Sequence, residues 1–143
     1  MFSRHQIESS AEASIQPWLF QIEPYPEESF GPFLGRFRRA NHLSSYHLSA
    51  LLGQRPYIVS YWETPSRRRQ PEPSALNHLS HLSGVAEPRF GLMRSPPGTR
   101  LHWPTRLCAC CYAEAPYHKL SWQVAAQSHC KSHQQRLCSD PQN

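Results

Sequence analysis

The sequence predicts a mainly α fold: a small helical lobe with a helix-turn-helix-like outline, then a knuckle module with short β-strands built around cysteines. Three observations lead there. Apolar residues recur at helical spacing in several short segments, each cut off by Gly or Pro. Only 38% of the 143 residues are apolar and 17% are charged, while Ser (18) and Pro (14) fill the gap. That composition argues against one large core and for short helices between loops. All five cysteines fall between Cys108 and Cys138, so the C-terminal part has a source of cohesion other than apolar burial.

Taken in order, residues 1–16 are rich in Ser, Glu and Gln and are expected to form a disordered tail. They lack the apolar centre of an export signal, and no apolar run approaches the ~18 residues of a membrane span. A cytoplasmic protein without a membrane partner is expected. Trp18 to Ile22 is a short apolar run, readable as an edge strand or an extended anchor, closed by Pro24 and Pro26. Ser29 is placed to cap a helix through Asn41, with Pro32 in the first turn, where its missing N–H costs little. Phe30, Phe33, Leu34, Phe37 and Asn41 share one face of that helix and predict core packing, while Arg36 and Arg39 project elsewhere.

Ser44 or Ser45 caps a second helix carrying Leu48, Leu51 and Leu52, stopped by Gly53. Residues 57–62 are apolar and aromatic, and their period fits a strand or a helical turn equally. Arg67, Arg68 and Arg69 sit in a loop bounded by Pro65 and Pro73. Ser74 is expected to cap a helix with Leu76, Leu79 and Leu82 inward. Gly84 makes a turn, and Val85 to Met93 can form another helix with Pro88 in its first turn. Helix, Gly turn, helix is the outline of a helix-turn-helix. Residues 94–105 are Pro-rich and read as a linker.

The cysteines then show spacing. Cys108 and Cys111 form C-x2-C, Cys130 and His133 form C-x2-H, and 18 residues lie between the pairs. Two such knuckles place soft ligands at the corners of a tetrahedron around one structural Zn2+. Cys110, His129 and Cys138 compete, because a C-x-C or H-x3-H choice would also chelate. Knuckle geometry favours the x2 spacings, hence Cys108, Cys111, Cys130 and His133. Four ligands leave no position for a catalytic water. Between the knuckles, Tyr117, Leu120, Trp122 and Val124 alternate with polar residues, which predicts a strand. Residues 106–138 are therefore read as a zinc-knuckle module and 139–143 as a tail.

Formal net charge is +5, but residues 1–30 carry −4 and residues 31–143 carry +9, and 13 of the 15 basic residues are Arg. Such a body suits a polyanion or an acidic protein surface. No P-loop, Ser/His/Asp order or plausible acid pair occurs, and acids are scarce after residue 28. His42, His47, His78 and His81 lack carboxylate partners at useful spacing and read as surface groups. An enzyme and a small-molecule substrate are both disfavoured. Two binding readings remain open on residues alone. One is a DNA-binding regulator using residues 74–93, although its second helix offers only Glu87 and Arg89 as base readers. The other is an RNA-binding zinc-finger module, with Trp103, Tyr112 and Tyr117 beside the zinc site.

Two blocks, covering about 64 of the 143 residues, carry a family resemblance. Residues 17–53 contain P-Y-x-x-E-S followed by FLGRFRRANHLS. Residues 107–133, LCACCYAEAPYHKLSWQVAAQSHCKSH, read L-C-x-x-C-x-x-E, then W-Q, then C-x-x-H. Both are similar to TniQ proteins, and most to the short forms of CRISPR-associated transposons with a single-protein RNA-guided effector. The resemblance implies a TniQ-like helical domain over residues 17–93 and a non-enzymatic adaptor in RNA-guided DNA transposition in a bacterial cytoplasm. The implied partners are a AAA+ ATPase transposition regulator and the effector with its guide and scaffold RNA, with target DNA nearby. On that reading Arg36, Arg39, Arg67, Arg68 and Arg69 are candidates for RNA or DNA phosphates. Such proteins usually continue with a second knuckle opening C-P-x-C. Here Cys138 is followed by Ser-Asp-Pro-Gln-Asn, so a single zinc site is expected.

Overall fold

Phe33, Leu34 and Phe37 are completely buried and Phe30 nearly so, which fixes one face of the first helix, α1 (Phe30–Ala40), against the rest of the N-terminal core. The computed structural model describes residues 19–65 and 71–139. After α1 come α2 (Ser45–Leu51), α3 (Ile58–Trp62), α4 (Pro73–Ser83) and α5 (Glu87–Leu92). The C-terminal part follows as β1 (Arg106–Leu107), α6 (Ala109–Glu114), a 3-10 turn (Leu120–Gln123) and β2 (Cys138–Ser139). The protein is mainly helical, with one small antiparallel sheet among the described residues, pairing Arg106 with Ser139 and Leu107 with Cys138. The expected disordered tail, Trp18 and Arg67–Arg69 lie outside the described residues.

Residues 57–62, undecided by their period, form α3, with Ile58, Val59 and Trp62 inward. Ser44, not Ser45, caps α2, accepting from the His47 amide. Leu48 and Leu52 are buried, whereas Leu51 faces out. The N-cap of α4 is Glu72, because Pro73 takes the first helical position, where no amide is needed; Ser74 lies inside the helix. Gly84 ends α4 at φ +74°, the left-handed cap expected of glycine. Leu19 and Ile22 pack on this core from a segment without regular structure, so the run before Pro24 is an anchor and not a strand.

The alternating residues 117–124 do not form a strand. Trp122 and its neighbour Gln123 are both buried, which a strand facing water on one side cannot achieve, and the chain tightens into the 3-10 turn. The Gln123 side chain explains the inward turn. Its Nε2 donates to the His102 and Pro104 carbonyls, and its Oε1 accepts the Arg106 amide at 3.1 Å. Residues 100–104 are thereby held along the turn: Leu101 bridges Val124, and the Ala125 amide donates to the Arg100 carbonyl. Arg106 is buried and donates to the carbonyls of Trp122, Val124 and Gln127 at 2.7 to 3.1 Å. Trp122, Cys108, Cys111, Cys130 and Leu137 make the second, smaller core.

Candidate metal centre

Cys108 stands at the N-cap of α6 and Cys111 one turn further on, which puts both sulfurs on the inner face of that short helix. The second pair sits on a tight turn. The Cys130 amide donates to the Gln135 carbonyl, the Gln134 amide returns to the Cys130 carbonyl, and Gln134 takes φ +54°. His129 pairs with Arg136 across the stem, and the Leu137 amide donates to the Ser128 carbonyl. Local backbone bonding therefore aims Cys130 and His133 at the first pair.

The ligand atoms of Cys108, Cys111, Cys130 and His133 lie within 4.8 Å of one another. Cys111 Sγ is 3.5 Å from Cys130 Sγ, and His133 Nδ1 is 3.1, 3.8 and 3.9 Å from the sulfurs of Cys111, Cys108 and Cys130. A tetrahedral site with ~2.3 Å metal–sulfur bonds has edges of about 3.7 Å, so this cluster is already near the size that a metal requires. All five cysteines are free thiols. Cys110 is half-buried outside the cluster, the Cys138 thiol lies against the Leu107 carbonyl, and the His129 ring bonds to Ser128 Oγ. The four residues with x2 spacing are the ones brought together.

The electrostatics suit a cation. Burial, with hydrogen bonds to Cys130 and Cys108, pushes the Cys111 thiol up to about 12. Burial also opposes ionisation of Cys130, but hydrogen bonds from His133 overcome it and bring that thiol down to about 6. Three sulfurs this close ionise together only when a positive ion shares the site. His133 turns Nδ1 inward, while its Nε2 meets Glu114 Oε1 at 2.9 Å. A carboxylate on the outer nitrogen fixes ring orientation and raises the basicity of the inner one. Glu114 is the last residue of L-C-x-x-C-x-x-E, and its partner His133 lies 19 residues further on, so the motif spacing by itself does not announce the contact.

The cluster is joined to the helical core by the residues of P-Y-x-x-E-S. Tyr25 stacks on Tyr117 at 4.4 Å. Glu28 is fully buried and takes both Nε and Nη2 of Arg36 at 2.8 Å, while the Arg36 guanidinium lies over the Tyr25 ring. Ser29 does not cap α1 with its side chain. Its Oγ instead bonds to His118 Nδ1 at 2.6 Å, and its amide donates to the His118 carbonyl. Across this contact Glu28 bridges Lys119, and the Leu120 amide donates to the Glu27 carbonyl. Burial pushes the His118 imidazole down to about 4, so it stays neutral. The sequence marks Glu28 only as the Glu of P-Y-x-x-E-S and does not mark His118, because neither has a partner at a telling spacing.

The candidate phosphate-binding arginines separate. Arg36 is engaged by Glu28 and the Glu23 carbonyl, and this contact holds its guanidinium charged. Arg39 is exposed on α1. Arg67, Arg68 and Arg69 lie outside the described residues. His42, His47, His78 and His81 are all exposed.

No helix among the described residues is long and apolar enough to cross a membrane. A search of curated proteins finds no match. A family model for TniQ matches residues 19–137, a span that takes in both cores and all four clustered Cys and His residues. The chain belongs to the TniQ family, whose proteins are associated with DNA transposition.

Proposed function

We propose that the protein is a non-enzymatic adaptor in RNA-guided DNA transposition, linking an RNA-guided effector and its guide and scaffold RNA to a AAA+ ATPase regulator in the bacterial cytoplasm. The observation that carries this reading is the family match over residues 19–137, which includes a closed four-donor cluster. Three thiolates and one imidazole suit Zn2+, with Cys108, Cys111, Cys130 and His133 as its ligands. Such an ion supplies cohesion to the small core and no reactive position. The N-terminal helical core and the module 106–138 act as one binding body, held together by Tyr25, Glu28 and Ser29 rather than by the 94–105 linker alone. Nucleic-acid contact falls to Arg39 and to Arg67–Arg69, since Arg36 is committed to Glu28. The DNA-reading alternative has less support: α5 is six residues long, and Arg89 donates to the Tyr25 carbonyl.

A reconstituted RNA-guided insertion reaction tests the reading. Omitting the protein should abolish accurate insertion, and the purified protein should retain the ATPase on a column. Insertion at the same rate and accuracy without the protein would refute the adaptor role. Alanine at Arg67, Arg68 and Arg69 together should weaken nucleic-acid association and flatten its salt dependence, because each lost phosphate contact removes released counterions. Zinc content should not change.

A further inference from the structure

Tyr46 and Tyr57 stand where α2 meets the start of α3, and neither core uses them. They are 48% and 59% exposed, yet their rings meet at 5.6 Å, tilted by 54°. His47 packs its edge on Tyr46 at 5.8 Å. Tyr57 holds φ +66°, in the left-handed region that a bulky side chain normally avoids. Strain of this kind persists where surrounding structure enforces it, and it gathers at binding sites. Here it sets the ring beside Tyr46 without burying it.

The arrangement is also rigid. Ser45 Oγ accepts the Ser60 amide at 3.1 Å. Ser49 Oγ accepts the Val59 amide at 3.2 Å and donates to the Ser45 carbonyl at 2.7 Å. Two hydroxyls of α2 thus hold the first turn of α3 in place, and with it the spacing of the rings. Residues 29–62 contain no Asp or Glu. Arg55, two residues before Tyr57, is exposed and has no side-chain partner among the described residues. Exposed, pre-set aromatic faces, an exposed arginine two residues from one of them and no carboxylate on the same segment are the chemistry that recognises unpaired nucleobases and their phosphates.

We propose that Tyr46 and Tyr57 form a stacking platform for unpaired bases of a single-stranded nucleic acid, with Arg55 meeting its phosphates. The proposal rests on nucleic acid being a partner, as in the adaptor reading, but not on the ATPase link. A fluorescein-labelled 12-nucleotide RNA of mixed sequence, its DNA counterpart and an abasic 12-mer are titrated against the full-length protein. The base-bearing strands should bind at least about fivefold more tightly than the abasic one, and the tighter of RNA and DNA names the natural strand. Tyr46→Ala and Tyr57→Gly should each weaken binding about tenfold, while Tyr46→Phe and Tyr57→Phe stay within about twofold of the parent. Tyr57→Gly should melt no lower than the parent, because glycine accepts φ +66° without strain. Equal affinity for abasic and base-bearing strands overturns the platform. So do Ala and Gly variants that bind the tighter of the two strands like the parent, including the case in which they lose only the ATPase, which would mark the face as a protein-docking surface. Failure of the platform leaves ATPase retention by the parent unchanged, and failure of the ATPase link leaves these affinities unchanged.

Discussion

His118 shows how much a single side chain can carry at the junction of the two cores. It is buried, bonded to Ser29 Oγ and set edge-on to Trp122 at 5.3 Å. Its pKa falls from 6.5 to about 4, so the unfolded chain binds the extra proton first as pH drops. The stability that neutral His118 brings is therefore present above pH 6.5 and is lost as pH falls toward 4, by up to about 3 kcal/mol. Denaturant melts of the parent and of His118→Asn should diverge by a constant above pH 6.5 and converge or cross between 6.5 and 4. A difference that stays flat over that window would show that the imidazole does not titrate in the native state. Acid release of a bound metal should affect both proteins alike and cancel in the difference. At this scale the sequence was legible where partners are near in the chain. The two x2 knuckles point to Cys108, Cys111, Cys130 and His133 through local turn geometry, and the structure brings these four within reach of one metal ion. Ser29 reads as a helix cap because Ser is a good cap, but its hydroxyl partner lies 89 residues away. Nothing local announces such a pairing, nor that Glu28 will be sealed under Arg36 and so remove that arginine from the exposed set.

Among the elements, α1 is legible nearly to its ends, because Phe30, Phe33, Leu34 and Phe37 have a single packing solution at helical spacing. The 3-10 turn is not legible. Its alternation is genuine, but Gln123 is turned inward by carbonyls of residues 102 and 104, a tertiary demand that overrides period. Close approach between elements gives a sharper prediction than period does. α1 crosses the end of α3 so tightly that a Cβ on Gly31 would sit 2.5 Å from the Trp62 carbonyl oxygen and 2.7 Å from that of Glu63. Both are backbone atoms and cannot rotate away. Gly31→Ala should therefore cost roughly 1–3 kcal/mol by overpacking, read from the denaturant midpoint. Gly91, near the end of α5, has nothing within 4 Å of its notional Cβ. Gly91→Ala should instead be neutral or gain about 0.5–1 kcal/mol through lost chain entropy and better helix propensity. Equal effects from the two substitutions would disprove the close crossing of α1 and α3.

For the whole molecule, the balance lies between a helical core of fifteen buried residues, counted among the described residues, and a second of five, three of which are the cysteines of the metal-sized cluster. The smaller core is below what apolar burial alone sustains, so a bound ion should contribute on the order of 10 kcal/mol to its folding. Elemental analysis should find one zinc per chain. Cys108→Ser should remove it and collapse near-ultraviolet signal from Trp122, whereas Cys110→Ser should keep both, because Cys110 stands outside the cluster. Equal damage from the two would reassign the ligands. The two-core layout was visible in the sequence as a change of composition, from helical apolar spacing to clustered cysteines. The firmness of their union was not, since it depends on contacts between residues 25–29 and 117–120. Those contacts also make the chain a reporter on itself. The amides of Ser29 and Leu120 donate across the junction, to the carbonyls of His118 and Glu27. In deuterated buffer they should exchange only when the cores part, while amides inside α1 should wait for the helical core to open. A chelator should release the label at Ser29 and Leu120 first, so two backbone protons would time the uncoupling of the cores.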